Sequence, residues 1–119
     1  MTPKRTQRRR TKGFHSPPNT RYCGRGTPYG NPFEIGLHEY GGYTQIWTRD
    51  EVVNLYEQEL PVIASNHGMS EHEFLEPLLE YDYLSCFCSL DVICHVDVIV
   101  RKLERMTTYH QWPLMIGEK

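Results

Sequence analysis

Three of the four cysteines fall within nine residues, at Cys86, Cys88 and Cys94, with His95 next in line and Asp97 two further on. Thiolate and imidazole are the usual structural ligands of zinc, so Cys86, Cys88, Cys94 and His95 supply a full set by type. Geometry resists that set. On a regular strand Cys86 and Cys88 point the same way with Cα atoms roughly 6.6 Å apart. On a helix the neighbours Cys94 and His95 diverge by about 100°. One ion gathers all four only if the backbone bends at one end. A second chemistry is a reactive thiol. Cys94 at a helix start has its thiolate favoured by the dipole and by an adjacent imidazolium, with His95 or Asp97 as acid–base partner. A third reading needs no chemistry: the cysteines are small buried hydrophobes, His95 satisfies a carbonyl, and Asp97 serves the helix terminus.

A second candidate segment is Gly24-Arg25-Gly26-Thr27-Pro28-Tyr29-Gly30-Asn31-Pro32-Phe33. Its glycines and prolines exclude a regular helix, and glycine lets a ligand approach the backbone closely. Arg25 can then grip a phosphate or carboxylate, with Gly26, Gly30 and Asn31 lining the same loop. The spacing is neither a Walker loop nor a dinucleotide fingerprint. A plain structured loop is the competing reading.

These segments need elements to position them. Tyr83 to Cys88 reads as a buried strand, and Cys94 or His95 opens a helix whose buried stripe is Val96, Ile99, Val100, Leu103 and Met106. Thr48 and Glu51 form a capping box before a helix with Val52, Val53, Tyr56 and Leu60 on one face, and Pro61 marks its end. Residues 61–69 then read as a loop. Ser70 and Glu73 suggest a second box; Pro77 either kinks the helix that follows or sits in the first turn of a later one. The acids Glu71, Glu73, Glu76 and Glu80 read as a solvated face. Thr20 to Cys23 is a short strand. Residues 34–47 read as an irregular excursion with a hairpin ending in Tyr43–Trp47. The pattern predicts a small single α/β domain with a short, mostly parallel sheet. Helices near 49–60, 71–81 and 95–106 flank it, and strand 83–88 is central. Residues 1–13 form a basic arm, 14–106 the domain, and 107–119 a tail with Trp112 and Pro113 packing back.

The 119 residues suit one domain. Hydrophobic content of 39% with 24% charged residues marks a folded chain rather than a disordered one. No apolar run is long enough to cross a bilayer, and the basic N-terminus lacks the apolar segment of a signal peptide. A cytoplasmic, reducing location with free thiols is expected. The net charge of −2 hides an asymmetry: residues 1–33 carry eight basic residues and no acid, and the remainder carries five basic and fifteen acidic. Lys4-Arg5-Thr6-Gln7-Arg8-Arg9-Arg10-Thr11-Lys12 has no apolar face. It reads as a solvated tail, or as an arm that contacts the phosphates of a nucleotide or nucleic acid. A weak strand signal falls near Arg8 to Lys12. No aromatic residue is interleaved there, which argues against base stacking in the arm itself.

Taken together, Arg21-Tyr22-Cys23-Gly24-Arg25-Gly26-Thr27-Pro28-Tyr29-Gly30-Asn31-Pro32-Phe33 and Leu84-Ser85-Cys86-Phe87-Cys88, continuing to Cys94-His95-Val96-Asp97-Val98-Ile99, resemble the domain of unknown function family 4326 of phages and bacteria. The helix with Tyr56 and the opening Arg8 to Phe14 are similar to members as well. Phe87 and Phe14 stand where tryptophan is common, the spacer after Cys88 lacks a frequent proline, and 61–72 looks like an insertion. The resemblance implies an arrangement of motifs rather than an activity. In open α/β sheets ligands sit beyond the carboxyl ends of strands. The leading expectation is therefore one shared pocket. Arg25 and the glycine backbone bind an anionic, nucleotide-like group, and Cys86, Cys88, Cys94, His95 and Asp97 line or catalyse on the opposite wall. One rival is a zinc-stabilised nucleic-acid-binding module using the arm; another is a phage structural or host-interaction protein.

Overall fold

The computed structural model describes residues 2–40 and 42–116, with side chains described except at 38–40, 43–45 and 108–116. Three strands make a parallel sheet: β1 (Lys4–Gln7), β2 (Thr20–Tyr22) and β5 (Tyr83–Cys86), in the order β1-β5-β2. The last strand in sequence is thus the central one, with Leu84 opposite both Arg5 and Arg21. Leu84, Ser85 and Cys86 are all buried, as expected of a parallel strand covered on both faces. The strands β3 (Gly36–Tyr40) and β4 (Tyr43–Trp47) form a separate antiparallel hairpin. Helices α1 (Arg49–Asn66), α2 (Glu71–Leu75) and α3 (His95–Ile116) pack around the parallel sheet, and a 3₁₀ segment (Glu76–Glu80) follows α2. The architecture is the expected mixed α/β domain with three helices and a short parallel sheet. Tyr56, Leu60, Leu75, Leu78, Leu84 and Ile99 are fully buried at its centre. No described helix is long and apolar enough to cross a membrane.

The boundaries differ from expectation in five places. The N-terminal strand lies at Lys4–Gln7 rather than within Arg8 to Lys12, because β5 needs a hydrogen-bonded neighbour on each side. That demand comes from residues almost eighty positions away. Helix α1 runs past Pro61 to Asn66. Pro61 is exposed, so the carbonyl it leaves unbonded can face water, while Leu60 and Ala64 on the other face are buried. The helix stops at His67, whose N–H donates to Ala64 O at 2.9 Å, and Gly68 follows with φ of 73°, a common helix stop. The expected helix 71–81 divides into α2 and the 3₁₀ segment, and Pro77 takes the first-turn place, one of its two expected positions, where its missing N–H costs nothing. Helix α3 continues through 107 to Ile116; residues 107–112 hold neither glycine nor proline to end it. The packing expected of Trp112 and Pro113 lies outside the described side chains. Finally, β5 ends at Cys86, which leaves Phe87 and Cys88 in a loop.

One side chain from the presumed arm reaches deep into the fold. Arg5 on β1 is only 8% exposed in its side chain. Its Nη1 donates to Asp97 Oδ2 at 2.5 Å and to Val92 O at 2.9 Å, and its Nη2 donates to Ser89 O. A single guanidinium thereby ties the loop after β5, and the first turn of α3, to the edge of the sheet. Residues 4–7 are part of the domain, not a solvated tail. Asp97 is 39% exposed, so water can take over its charge, and the loss falls mainly on the buried guanidinium's own hydrogen bonds, at roughly 1–3 kcal/mol. Arg5→Ala should therefore lower the urea midpoint clearly, whereas Lys4→Ala, at an exposed neighbour, should change stability by less than about 0.5 kcal/mol. Equal midpoints for the two variants would contradict this role.

Candidate metal centre and cavity

Strand β5 delivers Cys86 at its carboxyl end. The chain then bends at Phe87, so Cys88 does not continue the strand. A turn closed by Val92 N–H to Ser89 O at 3.3 Å brings the chain back to Cys94. Cys94 immediately precedes α3, and its backbone N–H donates to Asp97 Oδ2 at 2.9 Å. The bend that a common site required is thus present, at the strand end. The Sγ atoms of Cys86, Cys88 and Cys94 all lie within 4.8 Å of one another, and Cys86 and Cys94 are 3.0 Å apart. Among the described residues no other group of three such side chains converges.

His95 is not brought into this trio. It is buried, with Nε2 2.7 Å from Cys23 O and Nδ1 3.5 Å from Cys94 Sγ. A carbonyl can only accept, so Nε2 carries the proton and Nδ1 presents its lone pair to Cys94. The Tyr56 ring packs edge-on at 5.1 Å. Burial holds the imidazole pKa below its ordinary value, so the ring is neutral rather than an imidazolium. Cys23, the fourth cysteine, stands apart from the trio; burial pushes its thiol up to about 12.

Charge within the trio is uneven. Hydrogen bonds from the Cys86 and Cys94 thiols, with help from Arg49, hold Cys88 far below the ordinary thiol range. Arg49 Nη1 lies 3.6 Å from Cys88 Sγ. Cys94 is pushed well up, because it shares its proton with Cys86 and Cys88 and is buried. Cys86 is also raised, first by its hydrogen bond to Cys88. Within the trio the thiolate is favoured at half-buried Cys88, beside Arg49, and disfavoured at Cys94, the candidate of the reactive-thiol reading. Asp97 is likewise engaged, between Arg5 and the Cys94 N–H.

The trio and the glycine loop face one cavity of about 470 Å³, whose lining includes Arg25, Asn31, Arg49, Cys88, Cys94 and His95. Within the loop the expected ligand residues mostly shape the chain. Gly26 has φ of 88°, which favours glycine. A Cβ on Gly30 would lie 2.6 Å from Gly24 O. Asn31 donates to Val52 O at 3.0 Å and accepts from Phe33 N–H at 2.9 Å, pinning the loop to α1. Arg25 is exposed and paired with Glu34 at 3.0 Å. Sequence reasoning missed Arg5 and Arg49. Nothing local marks either one, since each acts on residues at least 39 positions away.

A small mixed α/β domain with three converging cysteines beside a cavity is the class that fold and site define. Residues 6–105 match the family described as Domain of unknown function (DUF4326), and the chain belongs to it. No curated protein matches. No solved structure matches either.

Two outcomes follow from the electrostatics. Limiting iodoacetamide on metal-free protein should alkylate Cys88 first and Cys23 last by peptide mapping, because the thiolate is the nucleophile; first labelling at Cys94 would contradict the charge assignment. His95 gives the second. Its folded pKa is depressed below 6.5, so the unfolded chain takes up the proton first. Its contribution to stability is complete above that value and is lost as pH falls below it. The Tm of metal-free protein should drop between about pH 7.5 and about 5.5, and drop less steeply in His95→Gln.

Proposed function

We propose that the protein is a metal-dependent binder of nucleotide-like anions, with an active-site rather than a purely structural metal. Cys86, Cys88 and Cys94 hold one zinc ion, and the adjoining cavity receives the ligand. The observation that carries this reading is the convergence of three Sγ atoms within 4.8 Å on the wall of a cavity of about 470 Å³. Tetrahedral zinc with Zn–S bonds of about 2.3 Å needs sulfur–sulfur edges of about 3.8 Å. Shifts of an ångström or less bring the trio to that spacing. Structural zinc is normally closed by four protein ligands, whereas three with a fourth position open to a cavity is the pattern of catalytic sites. When bound, the ion supplies Lewis acidity toward an oxygen of the ligand.

This chain's own residues would do the rest. Cys88 is already the anionic member of the trio, and the Cys86 and Cys94 thiols release their protons as the ion binds. Arg49 offsets the excess thiolate charge through its contact with Cys88. His95, neutral and fixed by Cys23 O, presents Nδ1 beside Cys94. Arg25, at the cavity wall, can leave Glu34 for an anion, since both partners are exposed. The volume lies within the range of small-molecule sites.

Elemental analysis of protein purified without chelator tests the metal. About one zinc per chain is expected, lost in Cys86→Ser and Cys88→Ser and kept in Cys23→Ser. In the same samples, nucleoside phosphates should raise the Tm, and Arg25→Ala should reduce that rise. Protein free of zinc, copper and iron, with a Tm unmoved by chelator and by every nucleotide, would contradict the proposal.

A further inference from the structure

The rim of the cavity carries a second feature, formed where the three parallel strands end. Tyr22 closes β2, Phe87 follows β5, and Arg8 continues β1 by donating its N–H to Cys86 O at 2.7 Å. The Tyr22 and Phe87 rings meet edge to face, with centroids 5.7 Å apart. Arg8 and Arg10 both reach these rings. The Arg8 guanidinium lies 4.8 Å from the Tyr22 centroid and Arg10 lies 4.5 Å from that of Phe87. Arg10, Tyr22 and Phe87 also line the cavity. The aromatics absent from the arm are therefore supplied by β2 and by the loop after β5.

The charges at this rim rest on aromatic faces and are not neutralised. Among the described residues no carboxylate pairs with Arg8, Arg9, Arg10 or Lys12. Cations interleaved with aromatic faces are the recognition chemistry of single strands, where bases stack on rings and the backbone follows the positive charge. A duplex keeps its bases stacked inside and offers nothing to Phe87. A free nucleotide would use the cavity and leave the arm idle.

We infer that the ligand is a single-stranded nucleic acid: its backbone runs along Arg8 to Lys12, and one base stacks at the Tyr22–Phe87 pair on its way to the cavity. This rests on the reading of the cavity as a site for a nucleotide-like anion, and narrows that ligand to a polymer. The arm contributes sequence-independent affinity that falls with salt, and the aromatic pair contributes the preference for unpaired bases.

Fluorescence anisotropy on the full chain, with labelled DNA and RNA single strands of about ten nucleotides, tests the inference, with zinc content measured in every sample. Both single strands, or one of them, should bind, with affinity falling linearly against salt on logarithmic axes. Phe87→Ala should weaken binding about tenfold, with Phe87→Leu as the variant that preserves packing should alanine disturb the fold. Arg8→Ala with Arg10→Ala should lower the salt slope by roughly 1.4. Equal binding of the matching duplex, competition by nucleoside monophosphates at strand-like concentrations, or an unchanged salt slope would each overturn it. Zinc-loaded protein that binds mononucleotides but no strand sinks this inference alone. Zinc-free protein that binds the strand sinks the metal proposal alone.

Discussion

The guanidinium of Arg5 is the contact on which the site's geometry depends. It sits almost wholly inside the protein, and a buried cation is tolerable only when paired and hydrogen-bonded. Asp97 provides the charge, and the carbonyls of Ser89 and Val92 provide acceptors. All three partners belong to the segment between Cys88 and the first turn of α3. The cysteine trio comes from the two ends of that same segment. Fixing its middle therefore fixes the separation of its ends. Asp97 serves twice, since it also accepts the Cys94 N–H and complements the positive end of the α3 dipole.

The opposite wall is fastened with similar economy. A capping box at Thr48 and Glu51 sets the start of α1, which places Arg49 within reach of Cys88. The Asn31 side chain joins the glycine loop to Val52 on α1. Deeper in the core, the Tyr56 hydroxyl donates to Tyr29 O at 2.8 Å, and the Tyr29 hydroxyl donates to Phe74 O at 2.9 Å. Buried hydroxyls need such partners, and here they link α1, the loop and α2 in one chain of contacts. The loop and the cysteines, some sixty residues apart, thus face each other across a defined space.

Much of this was legible in the sequence, and the exceptions share a cause. Local signals mark both capping boxes, the central strand with its Leu84–Cys86 run, and a helix opening at Cys94 or His95. The motifs of the loop and the cysteine segment led to the family. What escaped was non-local. Lys4–Gln7 looks like a charged tail because its reason for being a strand lies at Tyr83–Cys86. Pro61 looks like a stop because its exposure depends on which face of α1 packs. Cys88 looks like the next residue of a strand, and only the bend at Phe87 turns it toward Cys94. Arg49 has no local mark at all. The arm has no aromatics of its own, and Tyr22 and Phe87 reach it from β2 and from the loop after β5. Charge follows the same rule: Cys94 has the better local argument, from the helix dipole, but the Cys86 and Cys94 thiols, with Arg49 beside them, favour the thiolate at Cys88.

The cysteine trio as a three-sulfur metal site open to the cavity is the central claim, and X-ray absorption at the zinc K-edge on protein purified with its metal tests it most directly. Three sulfur neighbours at about 2.3 Å and one lighter neighbour at about 2.0 Å are expected. A shell of four sulfurs would mean that Cys23 closes the site, and a shell of nitrogen and oxygen alone would mean that the metal lies elsewhere; either would contradict an open site on Cys86, Cys88 and Cys94.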